Sequence, residues 1–145
     1  MSKFDLLIRL AQDKLDEAAK RMKQAQQAQT QAEATLQQVD AFLADYQQRV
    51  LHMAQRGLGV GQWRDARLFL LKLEEARQQQ QHELDRCVQR FLLEKQAWLG
   101  LRKQLKSYQV LQERETERLS VRQRKAEQKQ MDEFAARISS QDKAE

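Results

Sequence analysis

The sequence predicts an all-α protein: two long helices folded back on each other as an antiparallel coiled-coil hairpin. Three observations predict it. Proline is absent, and only four of the 145 residues are glycine. Three of those glycines, Gly57, Gly59 and Gly61, stand together in Arg-Gly-Leu-Gly-Val-Gly-Gln, so the chain breaks once, with a long segment lacking a strong breaker on either side. The first of those segments carries an uninterrupted heptad pattern of apolar residues.

Composition agrees with the pattern. Ala, Leu, Gln, Glu, Lys and Arg dominate, with 25 glutamines, and these are the good helix formers. No Val/Ile/Phe-rich run alternates with period two, so sheets and sandwiches are excluded. Charged residues at 32% and aromatics at 6% leave little with which to build a deep enclosed pocket, and most enzyme classes go with it. The single cysteine, Cys87, rules out an intramolecular disulfide and suits a reducing cytosol. The amino end shows no apolar run of signal-peptide type, so no secretory signal is predicted. No all-apolar run, Leu68–Leu71 included, is long enough to span a bilayer.

The first helix is predicted over about 3–55. Its stripe reads Phe4, Ile8, Ala11, Leu15, Ala18, Met22, Ala25, Gln29, Ala32, Leu36, Val39, Leu43, Tyr46, Val50 and Met53, spaced 4, 3, 4, 3 throughout. Only Gln29 is polar. Alanine dominates the middle, so the partner helix is expected to approach closely there. The glycine-rich hinge is predicted over 56–62.

The second helix is predicted over about 63–138, followed by a polar C-terminal tail. Its stripe includes Ala66, Leu70, Leu73, Leu84, Cys87, Phe91, Trp98, Leu101, Leu105, Tyr108, Leu119 and Ala126. It is rougher, because Arg77, Gln80, Glu94, Gln112 and Glu115 fall in the same register, and Gly100 interrupts it. A short hinge makes the two helices antiparallel neighbours. At 1.5 Å per residue they extend about 80 Å and about 115 Å, so the second outruns the first. Folding back near residue 59 sets Phe4 opposite residue 114, and everything after Glu115 then lacks a partner. A lone polar helix is marginal in water, so this overhang is expected to fray or to dock elsewhere.

Catalytic and metal-binding constellations are missing from the pattern. His82 and Cys87 are about 140° apart round a helix, and Cys87 lies in the core stripe as a small hydrophobe. Neither His52 nor His82 has a Cys or His at ligand spacing. The acid pairs Asp16-Glu17 and Glu74-Glu75 are solvated surface charges. Gly57-Leu58-Gly59-Val60-Gly61 lacks the preceding strand and the Lys-Ser/Thr of a phosphate loop. No cofactor, metal or catalytic residue is expected.

Two surfaces carry more. Leu68-Phe69-Leu70-Leu71 covers about 300° of helical arc, more than one seam can bury. At least one or two of these side chains must face outward, near Leu73 and Ala76, as a binding surface or as a rotated seam covered by the hinge. Trp98 is expected in the core and Trp63 packed over the loop. From Lys95 to Lys129 ten Lys/Arg face four acids, a net of +6. A nucleic-acid-binding arm would use such a stripe, but no aromatics interleave with it, and a solvated face or an acidic protein partner fits equally.

The tail segment Gln128-Lys129-Gln130-Met131-Asp132-Glu133-Phe134-Ala135-Ala136-Arg137 resembles the closing box of the flagellar FliJ family. Trp63, Phe69, Leu73-Glu74, Ala76, Trp98 and Leu111-Gln112-Glu113-Arg114 follow the hinge as they do in that family. The resemblance covers almost the whole chain. It implies a non-enzymatic, cytoplasmic component of the flagellar type III export apparatus, an antiparallel coiled coil similar to the stalk subunit of rotary ATPases. It implies partners: the hexameric export ATPase FliI, the export gate protein FlhA and export chaperones, with no nucleic acid and membrane contact through partners only. In the family the gate is bound by Phe-x3-Leu-x2-Ala-x3-His after the hinge. Phe69, Leu73 and Ala76 match it, Gln80 stands at the histidine position, and His82 lies two residues on. The tail residues Arg118, Arg122, Lys125, Lys129, Met131 and Phe134 are the expected contacts to the ATPase ring. A virulence-type secretion stalk and a homodimeric coiled-coil scaffold are the competing readings.

Overall fold

The computed structural model describes residues 3–144. Met1, Ser2 and Glu145, the extremities of the hairpin expected over 1–145, lie outside them. Among the described residues the regular structure is two long α-helices packed against each other, with no strand: α1, Asp5–Gln55, and α2, Val60–Ala144. α1 has 51 residues and α2 has 85, so α2 must outrun its partner.

The turn between them is built by two glycines. Gly57 adopts φ +89°, a left-handed conformation that a side chain would strain. Its N–H donates to the Ala54 carbonyl at 3.2 Å, which closes the last turn of α1 as in a Schellman motif. Gly59 then caps α2. Its carbonyl accepts the Trp63 N–H at 3.0 Å, and its own N–H donates to the Gln62 side-chain oxygen at 3.4 Å. That reach back from the third helical residue is one half of a capping box. Val60, Gly61 and Gln62, expected in the hinge, are therefore helical. At the other end α2 runs past the expected limit near 138 to Ala144, because no proline or glycine stops it.

The chain divides into two units. The hinge unit, Asp16–Gly100, holds the turn and the adjoining lengths of both helices. In α1 the alanines Ala18, Ala25 and Ala32 are buried, with Leu36 and Val50, and the intervening stripe residues are half-buried. Met53 departs from the stripe and is exposed beside the turn. The polar residues in the α2 register find partners on α1. Arg77 forms an ion pair with Asp40. The Gln80 amide donates to the Ala32 carbonyl at 3.5 Å, and Arg21 pairs with Glu94 at 3.5 Å. A seam between two helices buries only one stripe of each, so the edges of long polar side chains stay wet while their stems pack.

The terminal unit joins the start of α1, up to Leu15, to α2 from Leu101 onward. Ala11 and Leu105 are buried there, and the Gln112 amide donates to the Asp5 carboxylate at 2.5 Å. Its seam ends at Glu115. Beyond it every residue to Lys143 is exposed except Val121, which is half-buried.

Candidate docking surfaces

In the hinge unit, heptad position decides which way each candidate residue faces. Ala66, Leu70, Leu73, Arg77 and Gln80 form the seam stripe of α2, and all are buried or half-buried. Phe69 and Ala76 each precede a seam residue by one, which puts them on one flank of the stripe, and both are exposed. Leu68 and Leu71 point further out and are each more than half exposed. The expectation that part of the Leu68–Leu71 cluster faces outward therefore holds, while Leu70 takes the seam.

The four expected gate contacts thus fall into two pairs. Phe69 and Ala76 are accessible on one flank. Leu73 and Gln80 are turned toward α1, Gln80 through its hydrogen bond to Ala32. Phe69 meets Tyr46 of α1 edge to face, with ring centroids 4.7 Å apart, a geometry that aromatic quadrupoles favour.

Sequence reasoning missed the contribution of α1 to this flank. Phe42 precedes the seam residue Leu43 by one, so it occupies the equivalent flank of α1, and in an antiparallel pair those flanks face each other. The Asp40–Arg77 pair sets the register, which brings Phe42 level with Ala76. Phe42 is 52% exposed. The apolar flank therefore spans both helices, with Tyr46 and Leu73 as its half-buried floor. Its signal in the sequence was an aromatic at a flank position of a heptad that elsewhere prefers polar residues.

Trp98 is half-buried in the seam, as its register requires. Trp63, expected to pack over the loop, is instead 49% exposed; the connection is only residues 56–59, and Trp63 already lies in the first turn of α2. Cys87 is a half-buried seam thiol whose Sγ lies 3.8 Å from the Glu83 carboxylate. Among the described residues no group of His, Cys, Asp and Glu could hold a metal ion, and no helix is long and apolar enough to cross a membrane.

In the terminal unit the tail of α2 is amphipathic in an unusual sense. Arg118, Arg122, Lys125 and Lys129 recur at 4, 3 and 4 and share one face. Arg122 and Lys129 continue the seam register past the point where α1 begins, so positions that would otherwise be apolar carry cations. Among the described residues Arg122, Lys125 and Lys129 make no ion pair, whereas Arg118 binds Glu115 through two contacts of 2.8 and 3.2 Å. That bond, with the charges of Arg118 and Lys3, holds the Glu115 carboxyl below its ordinary range, against a smaller opposing effect of desolvation. Met131, Phe134 and Ile138 lie roughly opposite the basic row round the helix, and all are exposed.

Compared with known proteins, residues 1–144 match the family model described as flagellar FliJ protein. The chain is similar to the flagellar FliJ protein of Salmonella typhi, 27% identical over 130 residues, which is 90% of this chain and 88% of that one. It is 26% identical over the same share of both chains to the flagellar FliJ protein of Escherichia coli strain K12.

Proposed function

The chain belongs to the flagellar FliJ family and is a non-enzymatic component of flagellar protein export, and from that premise we propose that it couples the export ATPase ring to the export gate. The action is mechanical and allosteric. The hinge unit docks the gate protein through the flank formed by Phe69 and Ala76, with Leu73 beneath them and Gln80 fixing the local packing. The end of α2 contacts the ATPase ring through Arg118, Arg122, Lys125, Lys129, Met131 and Phe134. Export chaperones are handled on the same protein, at the cytoplasmic face of the apparatus.

The observation that carries this reading is the overhang. α2 continues beyond the seam as a helix whose one face is basic and whose other face is apolar, with no partner for it among the described residues. Cations steer an approach to an acidic opening, and an apolar stripe anchors it once water is excluded.

The test is stimulation of a flagellar export ATPase by the full chain and by a chain ending at Glu115. The full chain raises the ATPase rate. The shortened chain keeps its helicity but loses stimulation. Equal stimulation by both would move the ring contact to the paired part of the helices.

A further inference from the structure

A second exposed apolar surface lies in the terminal unit, and neither the gate nor the ring assignment uses it. Leu6, Leu7 and Leu10 of α1 are 64%, 41% and 48% exposed, and Leu111 of α2 is 42% exposed. Leu7 and Leu111 each precede a seam residue by one, Ile8 and Gln112, so they occupy facing flanks. The Gln112–Asp5 hydrogen bond sets the register that brings them level. Leu10 and Leu6 extend the surface outward on α1. Val110, half-buried, extends it on α2, where a shallow groove is lined by Lys103, Lys106, Ser107, Val110, Leu111 and Arg114.

The rim of this surface is basic. Lys14 borders it from α1, and Lys103, Lys106 and Arg114 border it from α2. Among the described residues none of these four makes an ion pair. In the hinge unit, by contrast, Arg21 and Arg77 are matched by carboxylates across the seam. Acids stand beside the leucines too, Asp5 and Asp13 on α1 and Glu113, Glu115 and Glu117 on α2, but Asp5 is engaged by Gln112 and Glu115 by Arg118. Four leucines spanning two helices inside uncommitted cations form a surface complementary to one chemistry: an apolar stripe flanked by acids.

We propose that this flank of the terminal unit, Leu6, Leu7, Leu10 and Leu111 within the rim of Lys14, Lys103, Lys106 and Arg114, docks an acidic amphipathic helix of a protein partner. The partner helix lies along this flank, over Leu7 of α1 and the α2 groove that Leu111 lines. Its apolar residues at i, i+3 and i+7 meet the leucines, and its carboxylates meet the lysines. This goes beyond the coupling reading and does not depend on it.

The test is site-specific photo-crosslinking of the full chain in its native cell. A photo-reactive amino acid replaces Leu10 or Leu111, and in a control it replaces Gln109, an exposed residue on the opposite flank. All four leucines are accessible, so these replacements leave far-UV circular dichroism unchanged. Positions 10 and 111 are expected to capture the same partner segment, one with net negative charge and an apolar helical stripe, and position 109 is not. Combining Lys103→Glu with Lys106→Glu is expected to cut both adducts at least tenfold while helicity is retained. Capture of lipid alone, of a second copy of this chain, of a basic segment, or of nothing at either position would overturn the proposal. So would adducts indifferent to the double charge reversal.

Discussion

Asp40 of α1 and Arg77 of α2 form an ion pair across the seam, although 37 residues separate them in the chain. Arg77 stands where a heptad would place an apolar knob, and its guanidinium turns aside to reach a carboxylate on the flank. The alanine-rich part of the seam has little shape to distinguish one register from the next, and a paired charge supplies the distinction.

This pair is expected to add specificity more than stability. Each side chain is over two-fifths exposed, so a double-mutant cycle on Asp40→Ala and Arg77→Ala should yield a coupling of about 0.2–1 kcal/mol. Arg77→Leu should raise the urea midpoint, because a seam position gains apolar area without leaving an unpaired buried charge. A lower midpoint for Arg77→Leu would make the pair a larger contributor than its exposure allows.

The hinge-side flank separates binding from folding residue by residue. Phe42→Ala and Phe69→Ala should each weaken association with the gate protein by about 2 kcal/mol, roughly thirtyfold, with little change in melting temperature. Leu73→Ala should lower stability by about 1–3 kcal/mol, because Leu73 lies in the seam. Titration calorimetry beside thermal melts reads both. Full binding by Phe42→Ala would confine the flank to α2.

Two glycines should respond oppositely to alanine. Gly100 lies within α2, and a Cβ there would meet nothing within 4 Å. Gly100→Ala should therefore stabilise the protein by about 0.5–1 kcal/mol. Gly57 has equal space but φ +89°, so Gly57→Ala should destabilise by about 1–2 kcal/mol. Denaturant unfolding of the two variants distinguishes backbone strain from packing.

Glu115 supplies the pH dependence that is readable at the end of the seam. Its carboxyl is held below the ordinary glutamate value of 4.5, first by the hydrogen bond from Arg118. A depressed carboxylate stabilises above its unfolded-state pKa, and that contribution disappears as pH falls through the lowered folded value. The carboxyl resonance of Glu115 should thus titrate below pH 4.5 in the full chain, and Arg118→Gln should move the midpoint upward. An unmoved midpoint would detach the shift from Arg118.

Much of the fold was legible in the residues. The 4, 3, 4, 3 stripe of α1 is an arithmetic property of the sequence, and every member from Phe4 to Val50 is buried or half-buried. The rougher stripe of α2 was less legible. Arg77, Gln80, Glu94 and Gln112 read as interruptions, because their partners on α1, the Asp40 and Asp5 carboxylates, the Ala32 carbonyl and the Arg21 guanidinium, lie many residues away. The hinge was placed by its glycines, but its end was not. Whether Gly59 or Gly61 caps α2 depends on which carbonyl takes the Trp63 N–H, a choice that composition leaves open.

The candidate surfaces divide along the same line. Helical period alone required some of Leu68–Leu71 to face outward and aligned the basic row of the tail, because both are relations within one helix. That Phe42 shares a flank with Phe69 and Ala76, and that Leu7 lies level with Leu111, are relations between helices. They follow only once cross-seam contacts choose one register among several that the heptads permit almost equally. The sequence by itself therefore determined the helices, their break and the faces each presents, since these depend on local geometry and period. The tertiary structure decided which faces share a surface, because that rests on contacts between residues the chain keeps far apart.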